Sequence, residues 1–162
     1  AWASAVWDLF LTALNTGSPL VLDLDGDGIE LVSLVSTNIY WDIDQDGFAE
    51  ASGWVQADDG FLAIDANSDG IITDHSELFG SVAEDGFTDL ALLDSNSDNV
   101  INASDTAFAD LLVWRDLNQN GFSESDELFS LTALNIVSIN LNATAVNQTN
   151  AGHDISHVST YT

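Results

Sequence analysis

The sequence predicts an α+β domain, with short strands through its first half and helices joined by acidic loops through its second. Two patterns carry that expectation. In the first half, apolar residues come as short runs between clusters of Gly, Asp and Asn, as strands and turns do. After residue 75 they recur at spacings of three and four, the period of an amphipathic helix. Size is the third constraint: 162 residues, 46% of them hydrophobic, suffice for one compact domain burying roughly 70% of its unfolded surface.

Residues 1–14 place Trp2, Val6, Leu9, Phe10, Ala13 and Leu14 on one helical stripe. Asn15, Gly17, Ser18 and Pro19 break it, so residues 1–17 read as an N-terminal helix and linker ahead of a module spanning 18–162. Residues 20–24, 29–35, 39–41 and 61–64 read as strands. Residues 75–79, 87–93, 104–115 and 125–134 follow the helical period. Residues 136–141 alternate as a strand does, and 155–161 read as another.

Asp and Glu number 27 against a single Lys or Arg, a formal charge of −26. Phosphate backbones are neutralised by Lys and Arg, so nucleic-acid binding is excluded, and an anionic membrane surface repels such a chain. No run reaches the ~20 apolar residues of a membrane span. There is no Cys, hence neither a disulfide nor a thiolate metal site. No basic stretch precedes the first apolar residues. The expectation is a segment of a longer protein, with neighbouring domains of the same chain beside it. Folding at this charge needs salt or bound cations to offset self-repulsion.

The acids are placed for cations. Asp or Asn at alternate positions, followed by Gly or Asn, occurs five times. The loops are Asp23, Asp25, Asp27 with Gly28; Asp42, Asp44, Asp46 with Gly47; Asp65, Asn67, Asp69 with Gly70; Asp94, Asn96, Asp98 with Asn99; and Asp116, Asn118, Asn120 with Gly121. Their starts lie 19, 23, 29 and 22 residues apart, too irregular for a solenoid of short repeats. Ca²⁺ takes six to eight oxygens at about 2.3–2.6 Å, and alternate carboxylates on a curled loop face one centre. The sixth residue must turn sharply, which Gly does freely and Asn tolerates. The seventh lends its carbonyl, leaving its side chain free to be apolar, as in Ile29, Phe48, Ile71, Val100 and Phe122. One such loop would pass for an ordinary polar turn. Five in one chain would not.

The fifth loop fills the EF-hand template: Asp116, Asn118 and Asn120 at positions one, three and five, Gly121 at six, Glu124 at nine and Glu127 at twelve. The fourth closes on Asp105, shorter than Glu and suited to weaker ligation. The third has Ser76 at position twelve and Glu77 one step later; Glu77-Leu78-Phe79 repeats Glu127-Leu128-Phe129, as if one residue were inserted. The helix expected over 104–115 would leave the fourth loop and enter the fifth. In the first two loops position twelve is Leu34 or Gly53, neither a ligand. Glu50 supplements the second loop, and distant acids such as Asp58 or Asp59 could complete these sites. Otherwise their coordination stays open to water or an anionic ligand.

Five Ca²⁺ would bring the charge from −26 to −16. Because an unfolded chain has no preformed cages, their binding free energy becomes folding free energy. Sites of extracellular type bind at about 10⁻⁴–10⁻³ M, so such a chain stays loose in the cytosol and folds outside.

The run Ser18-Pro19-Leu20-Val21-Leu22-Asp23-Leu24-Asp25-Gly26-Asp27-Gly28 carries a resemblance. It is continued by Gly53-Trp54-Val55, Asp58-Asp59-Gly60, Glu77-Leu78-Phe79-Gly80 and Val113-Trp114-Arg115-Asp116-Leu117-Asn118-Gln119-Asn120-Gly121. Together these resemble the calcium-dependent module of large secreted RTX proteins, the FrpC-like iron-regulated and self-processing family, also present in giant RTX adhesins. The likeness spans about residues 18–162. In its self-processing members calcium-induced folding cleaves an Asp-Pro bond through an anhydride of the Asp carboxylate. The matching bond here is Ser18-Pro19, with no carboxylate to form the anhydride and no Lys in the chain to accept an isopeptide bond. The resemblance therefore implies a non-catalytic, calcium-folded adhesion module that binds a peptide or surface protein of another cell. A diverged self-processing module and a calcium-stiffened spacer are the alternatives. A ligand's free carboxylate could complete the calcium shell of the first or second loop. Tyr40, Trp41, Phe48 and Trp54 are either an adjacent aromatic surface or core.

The remaining constellations are bland. His153 and His157 share a strand face but make half a zinc site. Arg115 reads as the cation closing a helix C-terminus, and Trp114 as core. Asp58 and Asp59 read as a turn or as calcium ligands.

Overall fold

The computed structural model describes residues 4–10, 17–81 and 84–162. Its strands are β1 (Ala5–Phe10), β2 (Leu20–Leu22), β3 (Leu31–Val32), β4 (Tyr40–Trp41), β5 (Glu50–Ala51), β6 (Trp54–Val55), β7 (Gly60–Ile64), β8 (Val100–Asn102), β9 (Leu111–Trp114), β10 (Leu128–Ser130), β11 (Ser138–Asn140), β12 (Thr144–Asn150) and β13 (His153–Thr160). Among the described residues there is one α-helix, α1 (Gly86–Ala91), with 3-10 turns at His75–Glu77, Phe108–Asp110 and Thr132–Leu134. Seven strands form an antiparallel sheet in the order β10-β9-β7-β2-β1-β13-β12. Three short antiparallel pairs lie beside it among the described residues, β3 with β6, β4 with β5 and β8 with β11.

The central strands are apolar at consecutive positions because both faces of the sheet are covered. Ala5, Trp7, Val21, Phe61, Ala63 and Trp114 belong to one core, and Val6, Leu20, Leu22, Leu62, Leu111 and Val113 to the other, the two-residue alternation of a strand. The first core takes Ile29, Leu31, Ile39, Trp41, Ile43 and Trp54 from the loops and short pairs. Trp41, Trp54, Phe61 and Trp114 cluster there with ring centroids 4.9 to 5.9 Å apart. The second core takes Phe87 and Leu90 from α1, Ile101 from β8, and Phe108, Leu131 and Ile139.

The fold is mostly β, which overturns the α+β expectation and the EF-hand loops between helices. Residues 111–114 are strand β9, preceded only by a 3-10 turn, in place of a helix over 104–115. Leu111-Leu112-Val113-Trp114 is a continuous apolar run, which periodicity cannot distinguish from a buried helix, and pairing with β7 on one side and β10 on the other decides it. Residues 125–134 likewise become β10 and a 3-10 turn, and 75–79 a 3-10 turn ending at Leu78, which bridges to Ala63. The helix over 87–93 is present as α1, started by Asp85, whose side chain accepts from Thr88 N–H. The strand expectations at 20–24, 39–41, 61–64, 136–141 and 155–161 are met by β2, β4, β7, β11 and β13, and 29–35 holds only the two-residue β3.

At the N-terminus residues 5–10 form β1, paired with β2 and β13, where a helix was expected. Trp2, Ala13 and Leu14 lie outside the described residues. Arg115 follows a strand, not a helix; it donates to the carbonyls of Ala57 at 3.0 Å and Asp58 at 3.4 Å.

Candidate metal centres

Each acidic loop is set by its own backbone. Gln45, Ser68, Ser97 and Gln119, the fourth residues of the second to fifth loops, have φ of 60°, 60°, 60° and 59°. The sixth residues, Gly47, Gly70, Asn99 and Gly121, are also left-handed, at 94°, 86°, 64° and 75°. In the first loop Gly26 and Gly28 play both parts, at 85° and 113°. Two left-handed turns two residues apart curl the chain around the first carboxylate.

That carboxylate is then held by the loop itself. Asp42, Asp65, Asp94 and Asp116 each accept the N–H of the fifth residue on one oxygen, at 3.0 to 3.3 Å, and of the sixth on the other, at 2.8 to 2.9 Å. The fifth side chain accepts from the seventh N–H: Asp46 from Phe48, Asp69 from Ile71, Asp98 from Val100 and Asn120 from Phe122, at 2.7 to 3.0 Å. Asp23 instead accepts from Gly26 at 2.8 Å and Gly28 at 3.2 Å. One backbone design thus serves loops with different surroundings. The second joins β4 to β5 and the fifth joins β9 to β10, the third runs from β7 into a 3-10 turn, and the fourth runs from α1 into β8.

The closing carboxylates are buried. Glu127 accepts from Leu117 N–H at 2.8 Å and Asn118 N–H at 3.3 Å. Asp105 accepts from Ser95 N–H at 2.9 Å and Asn102 N–H at 3.0 Å, and those backbone donors hold its carboxyl below the usual range. Glu77, 1% exposed, accepts Thr73 N–H on Oε2 at 2.8 Å. Its Oε1 is buried without a partner.

The first loop is closed from elsewhere in the chain. Asp59, fully buried, accepts Leu24 N–H and Glu30 N–H, each at 3.1 Å. Leu24 is the loop's second residue, the same position from which Ser95 and Leu117 reach Asp105 and Glu127. Of the two distant acids, Asp59 reaches the first loop, whereas Asp58 offers its backbone carbonyl to Arg115. In the second loop position twelve is Gly53 because the His153 ring lies where its Cβ would be. Glu50 instead brings a carboxylate oxygen within 4.8 Å of those of Asp42 and Asp44.

Among the described residues, three sets of acids have oxygens within 4.8 Å of one another: Asp23, Asp25 and Asp27; Asp42, Asp44 and Glu50; Asp65, Asp69 and Glu77. Each could hold a metal ion. Asn67, Asn96, Asn118 and Asn120 put amide groups among the acids, donating to Asp69, Asp98, Glu124 and Glu124 respectively. Hard oxygen donors suit a hard cation. Buried oxygens without a partner on Glu77 and Glu50, each within one of these sets, fit a cation better than a metal-free core. Crowding shows in the titration. Burial pushes Asp59 up to about 7. Burial, then a side-chain hydrogen bond with Asp27, pushes Glu30 up to about 7. Glu127 is raised by burial and by Glu124. Glu124 is lowered, first by its bond to Glu127 and then by Asn120.

Glu30 carried no signal in the sequence, since it stands two residues beyond the loop's turn; only the fold sets it beside Asp27. Of the four aromatics, Trp54 is fully enclosed and Trp41 is buried, whereas Tyr40 and Phe48 are 63% and 75% exposed. His153 and His157 do not form a metal group; Nε2 of His153 lies 3.0 Å from Val32 O, and Nδ1 of His157 3.0 Å from Ser156 Oγ.

Residues 20–162 match the family described as the SPM domain. The Iron-regulated protein FrpA of Neisseria meningitidis serogroup C is 46% identical over 154 residues, covering 89% of this chain and 14% of the relative. The chain thus spans about a seventh of the length of that curated relative.

Proposed function

The chain belongs to the SPM domain family, and from that premise we propose that it is a calcium-folded, non-catalytic ligand-binding module of a large secreted RTX protein. Ca²⁺ would be held by the alternate acids of the loops with Glu77, Asp105, Glu127 and Asp59 closing four of them and Glu50 supplementing the second. The bound ion supplies charge compensation for carboxylates gathered inside a β core. The protein's part is to curl each loop, present the oxygens and exclude water behind them. The observation that carries the reading is Oε1 of Glu77, a buried carboxylate oxygen without a partner beside Asp65 and Asp69.

Calorimetry with calcium and with chelator tests this. Calcium should raise the melting temperature and bind with a stoichiometry of several ions per chain. An unchanged melting temperature would overturn the reading. The non-catalytic part is tested by mass spectrometry after incubation in millimolar calcium. The chain should stay intact at Ser18-Pro19, since Ser18 offers a hydroxyl where an anhydride needs a carboxylate.

A further inference from the structure

A groove of about 310 Å³ lies between the second, third and fifth loops. Its walls are Tyr40 and Trp41 of β4, Ile71 and Phe122 at the seventh positions of the third and fifth loops, and the polar Thr73 and Asp42. Tyr40 and Phe122 are 63% and 71% exposed, far more than large aromatic side chains placed for packing. The walls are tied together. Ile72 N–H donates to Ser123 Oγ at 2.6 Å, joining the third loop to the fifth. Gln45 Nε2 donates to Asp74 Oδ1 at 3.2 Å, joining the second to the third. Such a groove is formed before any partner arrives, which lowers the ordering cost of binding.

We infer that this groove docks a peptide segment of another protein carrying Arg or Lys beside an apolar side chain. Aromatic faces attract such cations, and the second loop beside them carries Asp42, Asp44, Asp46 and Glu50, so that one bound Ca²⁺ still leaves it two negative charges. The field of a chain at −26 draws a basic partner toward it, and five divalent cations would still leave −16. Charge also selects among occupants. This chain has one strong cation, Arg115, already donating to Ala57 and Asp58 and lying 6.0 Å from the Phe129 ring centroid. A second copy would bring another −26 and be repelled. The occupant is therefore a different, basic protein. The inference rests on the ligand-binding reading above and gives it a place and a ligand class.

The test uses the folded chain in millimolar calcium and a capped pentapeptide in which two arginines flank a leucine. A second peptide has glutamates in place of the arginines. Amide chemical shifts of Tyr40, Ile71 and Phe122 should move with the arginine peptide and not with the glutamate peptide. Tyr40→Ser and Phe122→Ser should each weaken binding about five- to thirtyfold. Both positions are exposed, so the calcium-dependent melting temperature should hold, and that is measured on the same samples. The inference is overturned by no shift changes, by changes elsewhere, by equal binding of the glutamate peptide, or by undiminished binding to either variant. A dimer in sedimentation that Phe122→Ser dissolves would also overturn it, making a second copy the occupant. A melting temperature indifferent to calcium would count against the calcium reading alone, because the titration reads on any folded sample.

Discussion

Trp54 Nε1 donates a hydrogen bond of 2.8 Å to Asp116 Oδ2, across 62 residues of sequence and wholly within the protein. Asp116 is the first acid of the fifth loop, and its other oxygen accepts Asn120 N–H. Gln119 adds a bond from Nε2 to Val55 O at 3.0 Å. The fifth loop is thus anchored to β6 and to the aromatic cluster. Trp54→Phe keeps a ring in place and removes the donor. A bond to a charged acceptor is worth about 1.5–3 kcal/mol, so stability in calcium should fall by about that much, with added loss from the smaller ring. Denaturant unfolding followed by tryptophan fluorescence checks it.

Glu77→Gln should act in opposite directions with and without metal. In chelator it removes a buried charge whose Oε1 has no partner, so the melting temperature should hold or rise. In calcium it removes a ligand charge from the third loop, so the melting temperature should fall below that of the parent chain. Paired scans in calcium and chelator decide it; a fall in both would assign Glu77 a packing role only.

The metal-free chain should lose stability as pH rises. Glu30 and Asp59 hold their protons to about 7 in the folded chain, against ordinary values of 4.5 and 3.8. Their contribution is complete below those ordinary values and is lost as pH climbs through about 7. Melting temperatures in chelator should therefore decline from about pH 5 up to about 7 and level off above it. Glu30→Gln should flatten the slope. In calcium the trend should weaken or reverse, because the ion requires the ionised forms.

Glu127→Gln should cost more calcium-dependent stability than the pair Asp42→Ala with Asp44→Ala. Glu127 and Asp116 are buried in the fifth loop, at 2% and 0% exposure, whereas Asp44 is exposed. The second loop joins the two-residue strands β4 and β5, outside the large sheet. Thermal unfolding of the two variants in calcium, side by side, ranks them.

The sequence alone determined the acidic loops. The hydrogen bonds that curl each loop around its first acid run between residues two to five apart, as from Gly70 N–H to Asp65, so the loop's turn is encoded within its own dozen residues. Strands such as β2 and β7 were legible for a similar reason, being short apolar runs bounded by turn formers. What flanks the loops was not local. Leu111 to Trp114 suits a helix or a strand equally until β7 and β10 pair with it. Asp59 shows no spacing to the first loop, because the fold alone brings the β6–β7 turn to Leu24 and Glu30. Tertiary packing decided the surroundings: a carboxylate's burial, and the groove that Tyr40 and Phe122 both line, depend on residues tens of positions apart, and short-range propensity carries no information about those encounters.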